Sequence, residues 1–279
     1  MTCGYVLRSV HDPERWDAFV SSHPSGHLLQ SWGWGALKSS AGWHPLRLAL
    51  YDERNAEIVA AAQVLRRAPG FLPPRLGHLA YIPRGPMLDW AREDERGKPL
   101  WREFFARLLP SLKKSGAIAV QVELPLDDTS DARVTARACL EELCFRPVQP
   151  VQPARSILLD LAPSEDALLA NMKEKWRYNV RLAARRGVEV RLAQSEQDVR
   201  AWYSLLQTTG QRDRFGIHTF DYYVRAWQLF TPREQARLFL AESDGRLLAG
   251  IFVGCMARQA IYLYGASSNE QRQLMPNYL

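Results

Sequence analysis

The sequence lacks the features that define several large classes of protein. Its 279 residues include only four cysteines, at positions 3, 139, 144 and 255, too few and too scattered for a disulfide framework or a set of metal ligands. No apolar run approaches the roughly 18 residues of a transmembrane helix, and the first residues lack the basic start and apolar core of a signal peptide. We therefore expect a cytoplasmic protein without a transmembrane segment, in which Cys139 and Cys144 are buried free thiols.

The motifs of several catalytic classes are missing as well. None of the patterns GxxxxGK[ST], GxGxxG, HExxH, GxSxG and CxxC occurs, so phosphate-loop, dinucleotide, zinc-protease, serine-hydrolase and dithiol chemistry have no support. The six histidines show no spacing typical of metal ligands. The sequence therefore predicts a protein that uses no metal and no other cofactor.

Positive charge is present in excess. The chain has 36 Lys and Arg against 30 Asp and Glu, a formal net charge of +6. This excess favours an anionic partner, namely nucleic acid, nucleotide phosphates or the inner membrane surface in a peripheral contact. It is concentrated in residues 172–190, MKEKWRYNVRLAARRGVEV, which carry six Lys or Arg against two Glu.

Residues 172–186 have the periodicity of a helix that ends at Gly187. One edge is apolar and is predicted to pack on the core: Met172, Trp176, Val180 and Ala183. Four cations form a stripe beside that edge: Lys173, Arg177, Arg181 and Arg185. Lys175 stands on the far side of the helix. Like charges at this spacing repel each other, so we interpret the stripe as a binding surface for the phosphates of a polyanion. An ordinary solvated helix face is the alternative.

The chain contains the same pattern twice. Residues 46–67 and 236–258 each read as a β-hairpin, and each is followed by a third strand that ends in a Tyr and a Gly-containing turn. Helical periodicity marks the stretches between them: 92–116, 127–145, 162–172 and 196–216. This predicts a mixed α/β (α+β) fold with two related domains, residues 1–160 and 161–279, joined by the proline-rich stretch 145–161. The second domain is predicted to be incomplete at its C-terminal end.

Two stretches of the first domain combine rigidity with polar side chains. HLLQSWGWGALKSS (27–40) places Trp34 one helical turn before Lys38, which suggests the wall of a site where the lysine holds a phosphate. YIPRGPM (81–87) is stiffened by two prolines, and its Gly85 permits close backbone approach. Arg84 within this stretch is a candidate substrate-binding residue.

Two stretches of the second domain complete the candidate site. RDRFG (212–216) places Arg212 and Arg214 where a predicted helix turns into a loop. YLYGASS (262–268) ends a strand with Tyr264, whose hydroxyl is expected to point into a cleft.

Taken in order, these stretches resemble the Fem family of peptidoglycan aminoacyltransferases, of the FemA/FemB/FemX type, over nearly the whole chain. The most specific part is the pattern K-x-R-x-N-[VI]-R-x-A-x-[RK]-x-G-V, here Lys175 to Val188. The resemblance implies two domains similar to the Gcn5-related N-acetyltransferase (GNAT) fold. It also implies transfer of an amino acid from aminoacyl-tRNA to an amine of a peptidoglycan precursor in cell-wall cross-bridge synthesis. The acceptor would be lipid II or UDP-MurNAc-pentapeptide.

The same resemblance implies roles for individual residues. Lys38 resembles the family lysine that contacts acceptor phosphate, and either Arg212 or Arg214 resembles its arginine partner. Glu123 stands where the family often has an acidic residue at a strand end, and Tyr264 matches a cleft tyrosine. We therefore expect Glu123 to assist proton removal from the attacking amine and Tyr264 to stabilise the oxyanion.

Two other functions are compatible with the sequence. An acyl-CoA-dependent N-acyltransferase on the same fold would need a glycine-rich loop after the third strand. The corresponding residues 265–276 contain only one glycine, Gly265. A basic nucleic-acid-binding protein without enzymatic activity would use the cationic stripe of residues 172–186.

Overall fold

The computed structural model describes residues 4–71, 73, 75–94, 97–125, 131–153 and 155–279. The chain divides into two compact units, one formed by Met1–Ala154 with Met256–Gln259, the other by Arg155–Cys255 with Ala260–Leu279. The domain boundary placed after residue 160 from the sequence stays a prediction.

The sheet of the first unit brings the ends of two parallel strands together. Its strands are β1 (Tyr5–Ser9), β2 (His44–Asp52), β3 (Ile58–Arg67), β4 (His78–Ile82) and β5 (Ala117–Val122), in that spatial order. Neighbours from β1 to β4 are antiparallel, whereas β4 and β5 are parallel. The carboxyl ends of β4 and β5 therefore lie side by side, which places the loop after β4 next to Glu123.

Four helices of the first unit pack around the sheet, and two of them start at side-chain caps. They are α1 (Pro13–Ser22), α2 (Trp32–Ser39), α3 (Leu100–Lys114) and α4 (Asp131–Glu142). The Asp12 side chain accepts hydrogen bonds at the start of α1, and Ser31 caps α2 by accepting one from the Trp34 amide. α3 contributes Phe104 and Phe105, which are fully buried, to the core against the sheet.

Two helices predicted from the sequence are shorter in the structure. The predicted helix 92–116 begins only at Leu100, because Gly97 has a left-handed backbone and Pro99 precedes the first turn. The predicted helix 127–145 is observed as α4, and residues 126–130 lie outside the described residues. Since α4 ends at Glu142, Cys144 falls beyond the helix in a left-handed turn and is exposed, whereas Cys139 is buried as expected.

The second unit consists of helices followed by an antiparallel hairpin sheet. Its elements are α5 (Glu165–Asn171), α6 (Glu174–Arg185), β6 (Glu189–Leu192), α7 (Glu196–Asp213), α8 (Phe220–Phe230), β7 (Ala236–Ser243), β8 (Arg246–Met256) and β9 (Gln259–Ser267). The strand order is β6–β7–β8–β9. Asp244 and Gly245 both have positive φ, 49° and 72°, as a tight hairpin turn requires, and the β-hairpin predicted over residues 236–258 is observed as β7 and β8. No helix in the described residues has both the length and the apolar character to cross a bilayer.

Trp202 of α7 organises the core of this unit. Its ring lies edge-on to Tyr223 (centroids 5.4 Å apart) and 6.1 Å from Phe252, and its indole N–H donates to the Gly250 carbonyl at 3.1 Å. A Cβ at Gly250 would come within 2.8 Å of the indole. Glycine is therefore required where α7 meets β8.

The sequence predicted Trp176 to lie on the buried edge of α6, and this prediction is wrong. Asn179 and Ala183 are buried, whereas Trp176 is 55% exposed and only meets the Tyr278 ring edge-on, centroids 5.5 Å apart. The reason is that α6 packs by its C-terminal half, where Ala183 contacts small residues of β7 and β8. Trp176 belongs to the first turn and is left outside that contact.

Replacing Phe104 with Ala should lower the free energy of unfolding by about 3–5 kcal/mol, because a fully buried ring is removed and a cavity remains. Val134→Ala is the control, because this side chain of α4 is 67% exposed. The expected change in the free energy of unfolding is within about 0.5 kcal/mol. Chemical denaturation followed by tryptophan fluorescence measures both. Equal effects of the two substitutions would contradict the assigned core.

Candidate functional site

In the first unit, α2 holds Lys38 in a partly buried place against an aromatic ring. The ammonium nitrogen lies 4.8 Å from the centroid of the Trp34 ring, one helical turn earlier, so the predicted pair is in contact. Burial lowers the pKa of Lys38 to about 8, because removing water disfavours the charged form. At pH 7 the side chain still carries its charge for an anionic ligand.

A buried glutamine joins the two stretches singled out in this unit. The Gln30 amide donates to the Pro83 carbonyl at 2.6 Å, and its oxygen accepts from the Gln63 amide N–H at 2.7 Å. The Gln63 side chain in turn donates to the carbonyls of Leu29 and Ser31. Gln30 and Gln63 are both completely buried. The start of α2, strand β3 and the loop after β4 are thereby fixed relative to one another.

The loop after β4 leaves little freedom to Arg84. Its backbone is left-handed, with φ 47°, and the next amide, Gly85 N–H, donates to the Glu123 carbonyl at 2.9 Å. A Cβ at Gly85 would come within 2.8 Å of the Gln30 amide, so glycine is required here. The Arg84 guanidinium donates to the Pro153 carbonyl at 3.3 Å. Arg84 thus contacts the proline-rich connection.

Glu123, directly after β5, is engaged by several donors. Its carboxylate accepts hydrogen bonds from the Tyr81 hydroxyl and from the backbone N–H groups of Val151 and Gln152. The Gln152 side-chain amide donates to the Tyr81 hydroxyl at 3.2 Å. Burial, and secondarily the hydrogen bond to Glu123, raises the pKa of Tyr81. The carboxylate therefore ties residues 151 and 152 to the ends of β4 and β5.

Trp43 connects the Lys38 region to this carboxylate. Its amide donates to the Lys38 carbonyl at 3.1 Å, and its ring lies 6.0 Å from the Tyr81 ring, centroid to centroid. Lys38 and Glu123 are thus linked by a continuous series of contacts through Trp43 and Tyr81. Sequence reasoning missed Tyr81 and Trp43, although Tyr81 opens the quoted stretch YIPRGPM.

In the second unit the two candidate arginines have different surroundings. Arg212, in the last turn of α7, pairs with Asp213 and donates to the Ser267 carbonyl (3.2 Å), the Ser267 hydroxyl (3.1 Å) and Asn269 (3.0 Å). Arg214 ends α7 in a left-handed conformation, φ 57°, and is exposed. Arg212 is therefore held at a fixed position beside the end of β9.

Tyr264 lies in a cluster of aromatic side chains. Its ring is edge-on to Tyr223 (5.1 Å between centroids), and its hydroxyl is 3.4 Å from that of Tyr222. Burial raises the pKa of both Tyr222 and Tyr264. The Tyr222 ring is covered by His218 at 3.9 Å. Both hydroxyls stay protonated at neutral pH and can donate a hydrogen bond.

A cavity of about 550 Å³ opens on the second unit. Polar groups on its wall come from α7 and the end of β9, and include Thr209, Arg212, Asp213 and Ser267. Tyr262, which is 66% exposed, also lines it, whereas Tyr264 does not. Since Tyr262 and Tyr264 are two residues apart in one strand, the sequence pattern indicated the strand but could not say which tyrosine faces the cavity.

The cations of α6 divide into two groups. Arg177 is partly buried and folds back to donate to the carbonyls of Ala170 (2.8 Å) and Met172 (2.7 Å), so it stabilises the junction of α5 and α6. The other predicted phosphate-binding residues have exposed side chains: Lys173, Lys175, Arg181 and Arg185. The basic surface predicted for this helix is thus reduced by one arginine.

The sequence matches the family model described as the FemAB family at residues 12–135 and 146–246, well over half of its length. The chain therefore belongs to the FemAB family. This confirms the resemblance found in the sequence.

Named relatives agree with that assignment. A lipid II:glycine glycyltransferase of Staphylococcus saprophyticus subsp. saprophyticus is 25% identical over 94% of this chain and 77% of its own length. A protein of the same name from Staphylococcus aureus is 28% identical over 82% of this chain. That second match spans 53%, about half, of the relative's length. The expected enzyme class, a transferase, is confirmed at the level of the family.

A crystal structure of FemX has the same fold. It superposes with a TM-score of 0.82 over 97% of this chain and 83% of that chain, at 22% sequence identity. The mixed α/β fold class predicted from the sequence is confirmed. The roles of individual side chains follow from the geometry described above and stay predictions.

Lys38 should titrate well below the usual range of a lysine amine. Because burial favours the neutral amine, the fraction that reacts with acetic anhydride should reach half its maximum near pH 8. The same peptide labelled in the unfolded chain is the control, where a lysine amine has a midpoint near about 10.4. Mass spectrometry of pulse-labelled protein at a series of pH values measures both. Coinciding midpoints would contradict the burial of the Lys38 amine.

Glu123→Gln should loosen the connection at residues 151 and 152. Hydrogen bonds to a charged acceptor contribute about 1.5–3 kcal/mol each, so amide exchange at Val151 and Gln152 should speed up by about one to two orders of magnitude. Tyr81→Phe, which leaves the carboxylate in place, should have a smaller effect. Hydrogen–deuterium exchange with mass spectrometry measures both variants. Unchanged exchange in Glu123→Gln would show that the carboxylate does not hold this segment.

Proposed function

We propose that this protein transfers an amino acid from aminoacyl-tRNA to an amine of a peptidoglycan precursor. The observation that carries the proposal is membership in the FemAB family together with two relatives named lipid II:glycine glycyltransferase. These names favour a lipid-linked acceptor over the UDP-linked one. This reaction needs no metal or nucleotide cofactor, and the sequence contains none of the phosphate-loop, dinucleotide or zinc-protease patterns considered above.

The reaction asks for positioning more than for strong acids or bases. The acceptor amine attacks the ester carbonyl of the aminoacyl group, an amide forms, and the ester C–O bond breaks. The proton lost by the amine ends on the released ribose hydroxyl. Because the ester is already activated, correct placement of the two substrates can supply roughly 7–11 kcal/mol of the barrier.

Two cations are proposed to bind the phosphates of the acceptor. Lys38 is charged at neutral pH and is partly buried, which strengthens its attraction to an anion. Of the two arginines, Arg212 is favoured because it lines the cavity of the second unit and is held in place by Ser267 and Asn269. A guanidinium that is already fixed loses little conformational freedom on binding.

Glu123 is proposed to have a positioning role instead of acting as the proton acceptor. Its oxygens already accept hydrogen bonds from Tyr81, Val151 and Gln152, so taking a proton would break contacts that hold the connection. Tyr264 remains the proposed oxyanion donor through its protonated hydroxyl, which lies 3.4 Å from that of Tyr222. Because Tyr264 does not line the cavity that contains Arg212, this role places the ester carbonyl outside that cavity.

Mass spectrometry of the precursor tests the proposal directly. After incubation of lipid II with the protein and a pool of charged tRNAs, the precursor should gain the mass of one amino acid residue. The gain should disappear when RNase is added first. A gain only in a parallel tube with acyl-CoA would replace the proposal by acyl-CoA-dependent acyl transfer, and no gain in any tube would contradict both.

Arg212→Gln should reduce kcat/KM for the acceptor by about 10–100-fold, since a charge-assisted hydrogen bond contributes about 1.5–3 kcal/mol. Arg214→Gln, two residues away and exposed, is the matched control and should retain most of the activity. Initial rates at varied acceptor concentration distinguish them. The reverse order of effects would identify Arg214 as the phosphate ligand. Circular dichroism checks that both variants are folded.

A further inference from the structure

The solvent face of α6 combines an exposed aromatic ring with cations. Tyr178 is 55% exposed, and the Arg185 guanidinium carbon lies 6.0 Å from the centroid of its ring. Arg181 and Lys175 are exposed as well, and the helical spacing places both on the same side as Tyr178. A tyrosine face is therefore open to solvent among three positive charges.

These three charges outnumber the one acidic residue of α6, Glu174. In the described part of the chain, Lys175, Arg181 and Arg185 form no ion pair. Arg191 of the same unit, by contrast, pairs with both Asp198 (2.7 Å) and Glu242 (2.8 Å). The field on this face of α6 is consequently positive, and a flexible polyanion is the kind of partner that such a surface attracts.

The other exposed aromatic of this helix faces elsewhere. Trp176 has the same exposed fraction, 55%, but it packs edge-on against Tyr278. Two residues correspond to about 200° around a helix, so Trp176 and Tyr178 lie on nearly opposite sides. Only Tyr178 shares the face of Arg181 and Arg185.

We propose that Tyr178 stacks on an unpaired base of an RNA strand while Arg181 and Arg185 hold the adjoining phosphates. Aromatic rings next to cations bind single strands in this way, since every base has a π-face and the backbone supplies the negative charge. The inference rests on the proposed function, because an aminoacyl ester of tRNA is carried at an unpaired 3′ end. It assigns that end to one face of one helix.

α6 lies next to the segment that borders the cavity of this unit. The helix packs against Pro276–Tyr278, and Pro276 lines the cavity that also contains Arg212 and Tyr262. Arg186, at the end of the helix, donates to the Gln273 carbonyl of the same segment. Because Trp176, on the other side of α6 from Tyr178, contacts this segment, a strand bound on Tyr178 would have to pass the end of the helix at Arg186 to reach the cavity.

Binding of two RNA hairpins by fluorescence anisotropy tests the proposal. One hairpin ends in four unpaired nucleotides and the other is blunt, with equal numbers of phosphates. Tyr178→Leu should weaken binding of the first about tenfold, the order expected for loss of one stacked base, and leave the blunt hairpin unchanged. Tyr178→Phe should bind both like the original protein.

Trp176→Leu is the matched control, because it removes an equally exposed aromatic from the opposite side of the same helix. It should leave both affinities within about twofold of the original. The double substitution of Arg181 and Arg185 by Gln should weaken both hairpins. It should also reduce the slope of log Kd against log salt by about 1.4 for a single strand.

The outcomes separate this inference from the proposed function. If Tyr178→Leu binds both hairpins normally and the original protein still transfers an amino acid from charged tRNA, stacking on Tyr178 is wrong and the transferase function stands. If the original protein transfers nothing from charged tRNA, the proposed function fails whatever the hairpins do. Equal losses for Trp176→Leu and Tyr178→Leu would also overturn the assignment. If binding to anionic vesicles changed in parallel with RNA binding in every variant, the assignment of this face to RNA would likewise be overturned.

Discussion

The first unit depends on hydrogen bonds made by one buried side chain, Gln30. It satisfies the amide of Gln63 on β3 and the carbonyl of Pro83 after β4, two groups that water cannot reach. Leaving either group without a partner would cost about 1–3 kcal/mol. The loop that carries Arg84 and the helix that carries Lys38 are therefore held in one arrangement, and Gly85 is needed so that they can approach each other.

Glu123 extends this constraint to the proline-rich connection. Parallel pairing of β4 and β5 brings Tyr81 and Glu123 together, and the carboxylate then captures the amides of Val151 and Gln152. An acidic residue at a strand end suggests a catalytic base when only the sequence is considered. Its hydrogen bonds favour a positioning role, because the lone pairs that a base would use are already occupied.

The second unit uses its cations in two ways. Arg191 joins β6 to α7 and β7 through Asp198 and Glu242, and Arg212 joins α7 to the end of β9 through Ser267. The exposed cations of α6 have no such partners among the described residues, although Arg177 of the same helix is engaged with backbone carbonyls. Cations without close carboxylate partners are available to a ligand, which distinguishes the exposed cations of α6 from Arg191.

The sequence by itself determined the local structure: the two hairpins and the helix predicted over 196–216, observed over Glu196–Asp213, follow from short-range spacing. It also determined the family, through motifs that survive in order along the chain. Only the tertiary structure decided that Trp176 is exposed, that Tyr262 lines the cavity and that Glu123 is engaged. Burial and hydrogen bonding depend on residues distant in the chain, such as Gln30 with Pro83. No periodicity within one segment encodes those contacts.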